Sequence, residues 1–221
     1  VEGPGIQKHA LHSTSSLNLP NEAINPDFMI EINDEPITQR GFWMHEGEKR
    51  THCIAVGNPK GIHYVYDLEL GSLLQVWNGG FMDASKMWEG RGEKQLGRPA
   101  GFMVSLHGDG EFTSLVDEKK LWPKDIPAPG YKSLGYEFDT DGFPIFSYQV
   151  DGGSIANKFV PASKNRGLKR YTTVRTSNDG WFKIADGSKI ENAPSYRLIN
   201  LHALNLVDVD FNSIPPDQPE F

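Results

Sequence analysis

An antiparallel, all-β fold is what this chain's sequence predicts, and three observations carry the prediction. The 221 residues include 23 glycines and 15 prolines, a supply of chain-turning residues that suits many short strands and not a helical bundle. Turn signals recur at short intervals, and the runs between them are rich in β-branched and aromatic residues. No segment sustains the 3.6-residue apolar stripe of a major helix. A chain of this length buries roughly 70% of the surface its unfolded form exposes, enough for one core without staples. The expected architecture is a large antiparallel β-sandwich of supersandwich type, with few or no helices. Closing a barrel would also shelter the edges of so many hairpin-linked strands, but the length favours stacking two sheets.

Residues 1–34 hold no sustained period, and Ser13 to Ser16, Pro20 and Pro26 mark them as an extended N-terminal arm laid over the domain. The β-domain is expected over 35–213. Residues 214–221, with three prolines, read as a C-terminal tail or linker. Within the domain, 50–56 and 62–66 read as strands joined across 57–61. The run 73–77 follows through a turn at which Gly71 is available for positive φ. A short helix fits 81–88. In the second half, 136–138 and 143–150 flank Asp139-Thr-Asp-Gly142, and Asp151-Gly-Gly-Ser154 leads into 155–160. The run 168–176 is expected to meet 181–185 across 177–180. A last strand over 204–211 alternates Leu206, Asp208 and Asp210 against Val207, Val209 and Phe211, one wet face against one buried face.

The net charge is −7 and the pI about 5.5, which argues against nucleic acid as a partner, since that needs a basic stripe. The densest basic group, Lys164, Arg166, Lys169 and Arg170 with Arg175 beyond, reads as a solvated turn and strand. No apolar run reaches the ~18 residues of a membrane-crossing helix, so no membrane insertion is expected. The chain starts at Val1 and reads as a mature or excised piece. A single cysteine, Cys53, excludes an internal disulfide, a CxxC knuckle and a CxxCH haem attachment, and on a strand it is expected to be a small buried hydrophobe.

Chemistry-bearing residues concentrate between Arg50 and Pro99. Strict alternation puts Arg50, His52 and Ile54 on one face, and His63, Val65 and Asp67 opposite to Tyr64 and Tyr66. Flat aromatic faces stack on sugar C–H groups, and planar carboxylate, amide and guanidinium groups pair with hydroxyls. On this chemistry Tyr64, Gln75, Trp77, Asp83, Trp88 and Arg91 are the expected ligand-binding residues. For an enzyme acting on sugars, His52 or His63 would move a proton and Arg50 or Arg91 would neutralise an anion, with Asp83 a further candidate.

Metal chemistry has little purchase. His9 and His12 lie in the arm, and His45, His52, His63, His107 and His202 are scattered without an HxH or HExxH pair. The turn at Asp139 lacks the downstream Glu of a calcium loop. No GxSxG, P-loop or strand-following GxGxxG occurs. Neither metal nor cofactor is expected.

Two stretches, Arg50-Thr-His-Cys-Ile-Ala-Val-Gly57 with 64–83, and Leu134-Gly-Tyr-Glu-Phe-Asp-Thr-Asp-Gly-Phe-Pro-Ile-Phe-Ser-Tyr148, carry a resemblance. Across roughly residues 40–190 the chain resembles a β-rich module, itself without assigned chemistry, of large secreted bacterial proteins. Those proteins also carry sugar-dehydrogenase-like propellers, c-type cytochrome domains and carbohydrate-binding modules. The resemblance implies a periplasmic or extracellular setting, carbohydrate as partner, and redox domains of the same polypeptide as further candidate partners. Three functions remain open at this point: a glycan-binding or domain-docking sandwich module, a sugar-active enzyme of mutarotase-like or lyase-like type, and an electron-transfer accessory that docks a c-type cytochrome.

Overall fold

The computed structural model describes residues 23–89, 95–114, 121–162, 167–178 and 180–183, together with the backbone of 205–210. Two antiparallel sheets dominate it. The first contains β1 (Met29–Ile30), β2 (Ile37–His45), β3 (Glu48–Gly57), β4 (Ile62–Asp67), β5 (Ser72–Asp83) and β6 (Arg98–Ser105). The second contains β8 (Lys132–Phe138), β9 (Pro144–Val150), β10 (Gly153–Pro161), β11 (Leu168–Thr176) and β13 (Asn205–Asp210). A two-stranded ribbon of β7 (Phe112–Thr113) and β12 (Trp181–Phe182) makes the remainder, with one helical turn, α1 (Ser85–Trp88). Among the described residues no helix is long and apolar enough to cross a membrane.

The first sheet runs β2-β3-β4-β5-β6 in pairing order, with β1 added where β5 outruns β4. Both of its faces are buried. Cys53, Ala55, Val65, Leu74 and Trp77 point one way and, with Trp43, Phe81 and Met82, fill an inner core. Ile54, Val56, Tyr64, Tyr66 and Leu73 point the other way, onto Phe146, Phe159 and Leu168 of the second sheet. The inter-sheet contact is aromatic: the rings of Tyr66 and Phe146 stack at 4.2 Å, and Tyr64 meets Phe159 at 5.3 Å. The sheet also curls round the inner core until β2 touches the chain just before β6. Phe42 bridges Leu96 in parallel there, with Phe42 N–H donating to Gln95 O and Gly97 N–H to Phe42 O, both at 2.9 Å.

The sandwich expectation therefore holds, with its first sheet nearly closed on itself. The second-half hairpins fall where their turn residues predict, and Gly71 takes φ 69°. Three expectations are corrected. Trp181–Phe182 pairs with β7 and not with β11, because β11 is already flanked by β10 and β13. Residues 81–83 continue β5, so the helix is only the turn from Ser85. Part of the expected N-terminal arm is built into the domain, as Met29 and Ile30 pair with Asp83 and Met82. Residues 1–22 and 211–221, with most of the arm and the tail, lie outside the described residues. Of the last strand only the backbone pairing, on β11, is described.

Candidate functional site

The site begins with an irregularity between β2 and β3. Gly41 pairs with Cys53 and Trp43 with Arg50, so the single residue Phe42 is opposed by two, Thr51 and His52. Such a bulge re-aims side chains on both sides of it. Arg50 turns to the inner face beside Trp43, where Asp125 holds its guanidinium at 2.5 Å and Asp67 stands at 4.0 Å. His52 stays outside with Phe42, so Arg50 and His52 do not share a face; this corrects the strict alternation expected from sequence.

Outside, the bulge and the seam bound a groove of ≈ 480 Å³ lined by Arg40, Gly41, Phe42, Thr51, His52 and Gln95. Lys49 Nζ sits over the Phe42 ring, 4.1 Å from its centroid. His52 Nδ1 is 3.0 Å from Thr51 Oγ1 and 3.4 Å from Glu69 Oε2. Gln95 forms the far wall with φ 51°, a left-handed conformation that is strained for a residue with a Cβ. A Cβ at Gly41 would come to 2.9 Å from Met87 Cε, the movable end of a flexible side chain, and to 3.5 Å from Gln95 O.

The other expected residues are placed differently. Tyr64 and Trp77 are about 1% exposed and belong to the two cores; the Trp77 indole donates to Phe81 O at 2.7 Å. Gln75 is buried and accepts from the Trp43 indole at 2.6 Å. None of these three faces solvent, so none offers a stacking or hydroxyl-pairing surface. They were singled out by residue type, which does not reveal that both faces of their sheet are covered. Trp88 is 55% exposed at the end of α1 and is not one of the groove's lining residues. Arg91 lies outside the described residues.

Two acid–base candidates are structural. His63 Nδ1 accepts from Asn58 N–H at 3.1 Å and Nε2 faces Gly79 O at 2.9 Å. Because one partner only donates and the other only accepts, this fixes the neutral tautomer with the proton on Nε2. Burial lowers the His63 pKa, and the Gly79 carbonyl opposes this only in part. Asp83 is buried, which by itself raises its pKa. Its hydrogen bonds from the Arg98 guanidinium and from the backbone of Ser85 and Asn25 outweigh that and hold it at about 2. It clasps β1, α1 and β6 together. Cys53 is buried in the inner core, and burial raises its thiol well above the usual range.

Among the described residues no three His, Cys, Asp or Glu side chains converge as a metal would need. Asp139 accepts from Asp141 N and Phe143 N within its own hairpin and from Lys158 Nζ of β10. Arg170, expected in a solvated cluster, is 3% exposed and pairs with buried Glu111. Five groove residues, Arg40, Gly41, Phe42, Thr51 and Gln95, were not singled out from sequence. Thr51 was next to a marked position, and a bulge leaves no residue signature that would have found the others. Compared with known proteins, the chain matches no family model, no curated protein and no solved structure.

Proposed function

We propose that this chain is a carbohydrate-associated β-sandwich module of a larger secreted bacterial protein, and that it binds a glycan in the groove beside the β2–β3 bulge. The observation that carries the reading is the lining itself. One aromatic ring, Phe42, is surrounded by a guanidinium, an imidazole, an amide and a hydroxyl, all open to solvent on one side. Rings give apolar contact to sugar C–H faces, and planar polar groups order the hydroxyls.

The bulge separates Arg50 from His52, the expected acid–base partners. An acid–base enzyme needs two titratable groups within reach of one substrate atom. Here Arg50 is turned inward onto carboxylates, His63 is locked in the sheet, and His52 is left with Glu69 in an exposed pair.

Affinity electrophoresis through gels containing soluble polysaccharides tests the reading. The native chain is expected to be retarded by at least one glycan, and Phe42→Ala to lose most of that retardation. Phe138→Ala, which removes an exposed aromatic of the second sheet, should leave it unchanged. Retardation lost in Phe138→Ala instead would move the binding surface to the other sheet and remove the groove from consideration.

A further inference from the structure

We infer that the groove is built for an acidic saccharide, one whose ring carries a carboxylate, with Arg40 as the residue that receives it; this rests on the glycan-binding reading. Charge distribution points to it. The chain has seven more acidic than basic side chains, so its cations are in demand as ion-pair partners. Arg50, Arg98 and Arg170 each engage a carboxylate. Among the described residues Arg40 and Arg175 pair with no carboxylate, and Arg40 lines the groove.

Around Arg40 the other groups fit the same ligand. Arg40 and Phe42 are two residues apart on the outer face of β2, so guanidinium and ring lie on one side of the strand. Lys49 adds a second cation, which rests on the Phe42 ring. Glu69 is drawn toward His52 at 3.4 Å, which leaves the Arg40 side without a competing anion from that pair. A guanidinium fork matches a planar carboxylate with two parallel hydrogen bonds, a match that a lysine does not offer. Thr51 and Gln95 supply donors and acceptors for ring hydroxyls on either side. The ligand most consistent with this set is an oligouronate whose carboxylate meets Arg40 while its ring lies along Phe42 and Gln95.

Titration calorimetry with an oligogalacturonate and with its carboxyl-reduced, neutral counterpart separates the two levels of the reading. Expected is tighter binding of the acidic oligomer, weakened by salt. Arg40→Gln should lower that affinity about 10- to 100-fold, the fold-change of one charge-assisted hydrogen-bonded pair, and bring it to the neutral level. Arg40→Lys should keep the salt dependence but not the tightness, and Arg175→Gln should change nothing. If both oligomers bind alike and only Phe42→Ala abolishes binding, the glycan reading survives and the acidic specificity falls. If neither oligomer binds, nor any polysaccharide in the gels, both fall. An equal loss in Arg175→Gln would reduce the effect to overall charge and overturn the role of Arg40.

Discussion

His63 and His45 show how single residues set the conditions under which the fold survives. His63 must be neutral to accept from Asn58 N–H while donating to Gly79 O. His45 is 1% exposed, and neither of its ring nitrogens makes a hydrogen bond of good geometry. Burial lowers the pKa of both; for His45 the backbone of His107 partly opposes it. The unfolded chain takes up these protons near pH ~6.5, the folded chain only at lower pH, so stability is full above that value and is lost as pH falls below it. Urea midpoints taken at pH about 7.5 and about 5.5 should therefore drop at the lower pH. His63→Gln, whose amide can both donate and accept, should shrink the drop. A drop of the same size in that variant would show that His63 does not carry it. Asp83, held at about 2, adds its own loss only in more acid solution, below the usual carboxylate range.

At the scale of elements, the decisive unit is the β2–β3 pair with the segment that closes against it. Gln95 keeps its left-handed φ of 51° because its carbonyl and the N–H of Gly97 are both committed to Phe42. Gln95→Gly removes the steric cost of a Cβ there, and the protein should gain about 1 kcal/mol, seen as a rise of about 2–4 °C in Tm. The same variant should bind the proposed glycan more weakly, since the amide that faces the groove is gone. A stabilised variant with undiminished binding would remove Gln95 from the site. Much of the scaffold around this unit could be read from the sequence. The hairpins at Asp139 to Gly142 and Asp151 to Ser154 announce themselves through Asp and Gly at turn positions. The β2–β3 hairpin did not, because its two-residue turn is Glu46-Gly47, both at positive φ, in place of the usual Asn-Gly or Asp-Gly. With β2 unmarked, Arg40 and Phe42 had no strand to sit on, and without its pairing the bulge that separates Arg50 from His52 was invisible. Residue type found His52; only pairing geometry finds its neighbours.

For the molecule as a whole, coherence depends on a buried polar junction as well as on aromatic packing. Arg170 of β11 pairs with Glu111, next to β7, and bonds Asn157 of β10 and Thr172; Asn157 in turn donates to the Tyr66 hydroxyl of the first sheet at 3.2 Å. The guanidinium also lies between Phe159 and Phe182, 5.5 and 4.9 Å from their ring centres. First sheet, second sheet and ribbon thus meet at one charge. Burial raises the Glu111 pKa, and Arg170 works against that rise. Arg170→Met strands a buried carboxyl and should cost about 3–5 kcal/mol in urea unfolding. Glu111→Leu made together with Arg170→Met should cost less than Arg170→Met alone, because nothing charged is then left behind. Equal losses would mean that packing of the arginine, and not its charge, holds the junction.

The seam at Phe42 and Leu96 ties the groove to the closure of the curled sheet. One wall belongs to β2 and the bulge of β3, the other to a stretch that joins them only after β4 and β5 have been laid down between. Such a contact closes late, because distant parts of the chain must first be brought together. Among the described residues two backbone bonds hold it, both made by Phe42, so it is among the easier places for the native protein to open. Opening and closing of the curled sheet are then the same motion as loosening and shaping the groove. A ligand that touches both Phe42 and Gln95 fastens the sheet as it binds.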